Sequence, residues 1–222
     1  GGVALAIDSV DKLHIAYGKS AFIVAYRSFS GGAFGSEETL FDGTANTDTV
    51  NGVAIAVNSL DIPHVAWAQD VAAGTDEAIY YSNRSSGSWA ARTQLSTQQV
   101  SQTFSSMVID SNDYIYVFWA TAFSTNDRIF YAKYTSSWTA EIQLDTNGAG
   151  DVDFQAPHAV IDTSDNVYIA YVVQSSTNAI LYQKYTFSTD TWSGRTTVTT
   201  TDVSSSFAPS IGVDTSNNLH LV

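Results

Sequence analysis

The 222 residues are 44% hydrophobic and 13% aromatic, ample for a buried core and too apolar for a disordered chain. Nine Lys and Arg against 22 Asp and Glu give a formal charge of −13, a surface that repels nucleic-acid phosphates and disfavours anionic membranes. There is no cysteine, which excludes disulfides and thiolate metal sites, and no apolar run approaches the length of a membrane span.

From the N-terminus, strands are expected at 3–8, 13–18, 21–29 and 34–40, because Val, Ile, Tyr and Phe dominate and good helix formers are scarce. The opening Gly1-Gly2 belongs to no charged and apolar leader, so no signal peptide is read within these residues. The first strand is small and apolar and ends in an Asp/Asn/Ser turn, whose side chains bond their own backbone. The second alternates, with Leu13, Ile15 and Tyr17 on one face and His14 and Ala16 on the other.

This unit recurs. Asp8, Asn58, Asp110, Asp162 and Asp214 stand 50, 52, 52 and 52 residues apart, and a His or Tyr follows each by six: His14, His64, Tyr116, Tyr168 and His220. A second landmark keeps the same phase, an aromatic six residues before an aliphatic at Phe34/Leu40, Trp89/Leu95, Trp138/Leu144 and Trp192/Val198. Third strands are read at Ile79-Tyr80-Tyr81, Ile129-Phe130-Tyr131 and Ile180-Leu181-Tyr182. Four short strands per repeat at this period predict an all-β fold, a β-propeller of four-stranded antiparallel blades. The blades fall at about 1–50, 51–102, 103–154 and 155–206, with a partial fifth at 207–222. The small first strand suits the innermost position, where blades converge.

The stretch Pro209-Ser-Ile-Gly-Val-Asp-Thr-Ser-Asn-Asn-Leu-His-Leu-Val222, with Ile-Tyr-Tyr and Gly-Ser-Trp elsewhere, resembles the BNR or sialidase-like propeller repeats of bacterial and phage proteins. That family's Asp-box survives only in part, as Ser86-Gly87-Ser88-Trp89 and Ser188-Thr189-Asp190-Thr191-Trp192. The resemblance implies a sialidase-like fold. It also implies, for a true sialidase, three arginines around the substrate carboxylate and a Tyr nucleophile. Of Arg27, Arg84, Arg92, Arg128 and Arg195, the register sets only Arg128 beside the ligand-face loops, and Arg27 and Arg84 toward the other end. Four blades and half a fifth do not make a ring, so closure is expected from further blades of the same protein or from another copy, to a total of six to eight.

Loops between second and third strands, and between the fourth strand and the next blade, share one face. Ligand-binding candidates there are Asp70, Asp76, Glu77, Phe123, Asn126, Asp127 and Arg128. Asp145, Asn147, Asp151 and Asp153 partly resemble a calcium loop, although Ala149 stands where another oxygen is wanted and no Glu closes it; a polar surface turn is the plainer reading. No other cofactor is expected. The recurring His and Tyr read as packing residues, their polar atoms bonded to a neighbouring blade, because one residue per blade does not converge on one metal. His158 lies outside that register. Trp89, Trp138 and Trp192 read as packing between blades rather than as sugar platforms.

No catalytic constellation emerges from the 22 carboxylates. The leading expectation is a non-enzymatic binding or adhesion module at an extracellular, cell or virion surface, recognising a glycan or another surface ligand through one face. Two other readings stay open: a fragment of a sialidase-like glycoside hydrolase, and a structural spacer or assembly domain of a larger surface or fibre protein.

Overall fold

The computed structural model describes residues 2–44, 48–70, 77–97, 101–122, 128–145, 153–174, 178–200 and 208–222. Its strands are β1 Val3–Ile7, β2 Leu13–Ser20, β3 Ile23–Ser30, β4 Ala33–Phe34 and β5 Glu38–Asp42 in the first repeat. The second holds β6 Val50–Val57, β7 Pro63–Asp70, β8 Glu77–Asn83 and β9 Thr93–Gln94, and the third β10 Ser101–Ile109, β11 Ile115–Ala122, β12 Arg128–Tyr134 and β13 Ile142–Gln143. The fourth holds β14 Asp153–Ile161, β15 Val167–Gln174, β16 Ala179–Thr186, β17 Thr191–Trp192 and β18 Thr196–Thr199, and β19 Ile211–Val213 pairs with β20 Leu219–Leu221. Each repeat is one antiparallel sheet with its strands side by side in chain order. This all-β arrangement is consistent with consecutive propeller blades.

The expected fourth strand at 34–40 is two pieces. Phe29 pairs with Phe34, Tyr26 with Glu38 and Val24 with Phe41, so the outer chain gains one residue twice along β3. Each extra residue is a bulge, which breaks the ladder and bends the strand. The same slippage separates β17 from β18 along β16.

Turn chemistry sets the β1–β2 hairpin and its copies. Asp8 Oδ1 accepts the N–H groups of Val10 and Lys12, and Asn58, Asp110, Asp162 and Asp214 repeat both bonds. Three residues after each, Asp11, Asp61, Asp113, Asp165 and Asn217 adopt φ of 60–63°, the left-handed region that Asp and Asn tolerate best after glycine.

The turns also bond to one another. Ser9 donates its N–H and hydroxyl to the Asp61 carboxylate, Ser59 likewise to Asp113, Ser111 to Asp165, and Thr163 to Asn217. One edge of the molecule is therefore a relay in which every turn holds the next.

Four apolar clusters fill the spaces between successive sheets. The small face of one sheet (Ala4, Ala6, Ala16) meets the large face of the next (Val53, Ile55, Val65, Trp67). Trp67 and Trp119 are fully buried there, each worth about 3 kcal/mol of apolar burial. Between sheets, Trp89 packs edge-on against Tyr26 at 5.2 Å, Trp138 against Tyr81 at 4.8 Å and Trp192 against Tyr131 at 5.5 Å. The recurring tryptophans therefore pack repeat upon repeat.

Candidate functional site

The first strands converge on a cavity of about 460 Å³ lined by residues 3–5, 53–55, 106–107, 156–159 and 208–209. Small residues at this position let the strands approach. Where they are polar they cap the next strand: Ser106 Oγ accepts the Ala159 N–H at 2.9 Å, and His158 Nδ1 accepts the Ile211 N–H at 3.2 Å. His158 stands at the first-strand position of Ala54 and Ser106, outside the second-strand His/Tyr register as expected. Burial lowers its pKa, only partly offset by a bond to the Pro209 carbonyl.

At one end lie the hairpin β7–β8 and its equivalents, together with the connections between sheets. Asp70 and Glu77 face each other across the last pair of that hairpin. Both are held by the strand beside them. Asp70 accepts the N–H and hydroxyl of Thr49 and returns its own N–H to the Thr49 carbonyl, while Glu77, buried, accepts from the Asn51 amide. Asp48 is buried beside them, and its Oδ1 has no hydrogen-bond partner among the described residues.

One repeat on, Arg128 Nη1 donates to Gln143 Oε1 at 3.1 Å, and Gln143 donates to the Asp145 carbonyl at 2.9 Å. The Asp145 carboxylate is buried, accepts the Tyr171 hydroxyl, and lies 3.6 Å from Arg195 Nε. Asp145 therefore joins two sheets, and Arg195 reaches this end together with Arg128. Of the proposed calcium ligands, Asp145 has its oxygens engaged by protein donors. Asn147 and Asp151 lie outside the described residues, and Asp153 is described only as the start of β14. Asp76, Phe123, Asn126 and Asp127 also lie outside them. Among the described residues no group of three or more His, Asp or Glu is placed to hold a metal.

The opposite end carries the recurring His and Tyr, and there the sequence expectation needs correction. In four of the five repeats they meet the turn carboxylate of their own repeat, and among the described residues only Tyr116 also bonds the next sheet, at Tyr185. His14 Nε2 lies 3.0 Å from Asp8 Oδ2, Tyr116 donates to Asp110, Tyr168 to Asp162, and His220 pairs with Asp214. A six-residue separation across a tight turn brings the two side chains together on one sheet face. Burial opposes ionisation of Asp8, but the His14 ring and the Lys12 and Val10 N–H groups outweigh it and hold its carboxyl below the ordinary range. In the second repeat Asn58 replaces the carboxylate. His64 Nδ1 contacts the Tyr81 hydroxyl at 2.6 Å, its Nε2 has no partner among the described residues, and burial pulls its pKa down to about 4.

Sequence reasoning missed Thr49 and Asn51, which fix Asp70 and Glu77, and the Asp145–Tyr171–Arg195 junction. One signal was available. The third residue after each landmark aromatic is Glu37, Arg92, Glu141 or Arg195. Three of these reach back to the preceding repeat: Arg92 lies 4.5 Å over the Phe41 ring, Glu141 accepts from Thr97, and Arg195 meets Asp145.

Solved structures share this architecture. A protein of unknown function from Dyadobacter fermentans superposes with a TM-score of 0.69 at 8% identity, over 99% of this chain and 73% of its own. The Hadza microbial sialidase Hz136 matches with a TM-score of 0.60 at 8% identity, over 86% of this chain and 45% of its own. The Aleuria aurantia lectin, solved in complex with Fucα1-6GlcNAc, matches with a TM-score of 0.58 at 16% identity, over 92% of this chain and 63% of its own. The fold is sialidase-like. At these identities the likeness is one of fold alone, and the chain spans about half the length of the sialidase. No family model matches the sequence, and no curated protein matches it.

Proposed function

We propose that this chain is part of a β-propeller of BNR-like repeats that binds glycans without cleaving them, at an extracellular, cell or virion surface. The binding face is the Asp70/Glu77/Arg128 end. One observation carries the reading: the charged groups there are fixed by the scaffold. Thr49 holds Asp70, Asn51 holds Glu77, Gln143 holds Arg128, and Tyr171 and Arg195 hold Asp145. Carboxylates and amides set in place by strand residues are pre-arranged acceptors and donors for sugar hydroxyls, and such preorganisation lowers the cost of binding. A retaining or inverting glycosidase instead needs two carboxyl groups that trade protons with substrate and water. The lectin and carbohydrate-active enzymes of like fold support a glycan as the ligand class.

The likeness to a sialidase favours a second reading, a sialidase-like glycoside hydrolase of which this chain is one part. An array of neutral and acidic glycans, probed with the chain and with Arg128→Ala, separates the two. Binding of a defined glycan that falls about tenfold or more in Arg128→Ala, equivalent to about 1.4 kcal/mol, supports the binding module. Release of free sugar from the array supports the hydrolase. No retention of any glycan overturns both.

A further inference from the structure

Four internal interfaces show what each sheet of this fold requires of its predecessor, and the first sheet has every requirement unmet. Leu5 is 59% exposed, whereas Ile55, Met107, Ala159 and Ile211 at the same position are 5–7% exposed. Val3 is 68% exposed, against 8% for Val53. Ile15 and Tyr17 are half-buried, while Val65, Trp67, Val117, Trp119, Ile169 and Tyr171 are fully buried. Phe34, at the place of Trp89, Trp138 and Trp192, is 57% exposed and meets no tyrosine of a preceding sheet.

The polar groups agree with the apolar ones. Asp11 sits at φ 61° like Asp61, Asp113 and Asp165, but among the described residues no Ser or Thr donates to it. Glu37 holds the position from which Arg92, Glu141 and Arg195 reach back to the preceding repeat. It turns instead onto its own sheet, accepting from Tyr17 at 2.6 Å and Lys19 at 2.5 Å.

We propose that the face formed by Val3, Leu5, Ile15, Tyr17 and Phe34 is the docking surface for a further repeat of the same polypeptide, outside residues 1–222. The occupant has stated chemistry: a small-residue face like Ala4 and Ala6, a third-strand tyrosine for Phe34, a Ser or Thr whose N–H and hydroxyl bond Asp11, and a hydrogen-bond donor or cation for Glu37. Continuity with four existing interfaces carries the choice. A second copy would cover the same face only when the protein self-associates, which a concentration series separates. The solved structures of like fold extend beyond the matched region, which leaves room for such a repeat. This surface is separate from the proposed glycan face, so either proposal can fail alone.

Residues 1–222 hold no cysteine, so with any cysteine elsewhere in the polypeptide replaced by Ser, single thiols report directly. Leu5→Cys, and Leu60→Cys at an exposed turn as reference, are placed in the native polypeptide and labelled with a maleimide. Labelling of Cys at position 5 at least about 100-fold slower than at 60, at every protein concentration, is the expected result. Equal rates overturn the proposal. Protection that appears only where the solution mass doubles also overturns it, in favour of a second copy. Hydroxyl-radical footprinting of Leu5 and Phe34 against Leu60 in the unsubstituted protein gives the same comparison if Leu5→Cys fails to fold.

Discussion

Ser59 donates its backbone N–H and its hydroxyl to the two carboxylate oxygens of Asp113, each at 2.8 Å, across 54 residues of sequence. The bond belongs to neither repeat alone. Asp113 accepts from the turn before it, while Ser111 donates to Asp165 in the turn beyond. Neighbouring repeats are thus locked in register by the same turns that close their hairpins.

In a protein of residues 1–222 alone, where no Ser or Thr among the described residues donates to Asp11, Asp113→Ala should therefore destabilise the fold by about 1 kcal/mol more than Asp11→Ala, measured as the shift in urea unfolding free energy. Both substitutions put Ala at positive φ, so the backbone cost cancels and the difference reports the relay. Asp113→Asn should be nearly neutral, since Asn217 already accepts from Thr163 in the same way. Equal losses for Asp113→Ala and Asp11→Ala would mean that the relay contributes nothing.

A second expectation concerns acid. His64 is buried and neutral in the fold with a pKa of about 4, whereas an unfolded His titrates near 6.5. The unfolded chain then binds the extra proton between those values. His64 contributes no penalty above about pH 6.5 and costs the fold up to about 3 kcal/mol as the pH falls toward 4. Burial of His158 acts in the same direction. Asn58→Asp should supply His64 Nε2 with the carboxylate that Asp8 gives His14, and so flatten the loss of stability between pH 6.5 and 4.5. Urea midpoints at pH 7, 6 and 5 for the two proteins check this; parallel declines would contradict it.

Trp138 lies against Tyr81 of the preceding sheet and Tyr134 of its own. Trp138→Ala should cost about 3 kcal/mol, and Trp138→Phe much less, because the ring contact with Tyr81 is kept. A glycan platform would behave differently, losing ligand and leaving stability untouched. Thermal unfolding of both variants, with glycan retention measured alongside, separates the two roles.

Much of the fold was legible because its causes are local and repeated. The Asp8-to-His14 spacing states the turn and the strand after it, and its recurrence at Asn58, Asp110, Asp162 and Asp214 states the sheet count. The broken fourth strand was not legible, since the bulges near Glu38 depend on pairing with β3. The His and Tyr were read as bonding a neighbouring repeat, which Tyr116 does at Tyr185, but most bond the turn of their own, because periodicity locates a side chain without saying across which gap it bonds. The site was harder still. Asp70 and Glu77 could be placed at one end by register, but Thr49 and Asn51 come to them only through sheet pairing. Arg128 was likewise set at this end by register, and Asp76, Phe123, Asn126 and Asp127 lie outside the described residues.

Asp145 also bears on the calcium reading. With Tyr171 and Arg195 on its oxygens, it is not an open ligand. Calcium at 1 mM against excess chelator should move the unfolding temperature by less than about 1 °C, since only a ligand that binds the fold stabilises it. Asp145→Asn should lower that temperature in both conditions through loss of the junction. A calcium-dependent rise abolished by Asp145→Asn would restore the metal site.

The most direct test of the central claim is to recover the bound glycan. The chain is incubated with a glycan that it retains, and the sugar is then eluted and weighed by mass spectrometry. The account predicts the intact glycan, bound at stoichiometric amount and unchanged after long incubation. A shortened or rearranged glycan, accumulating with time, would contradict it and make this face an active site.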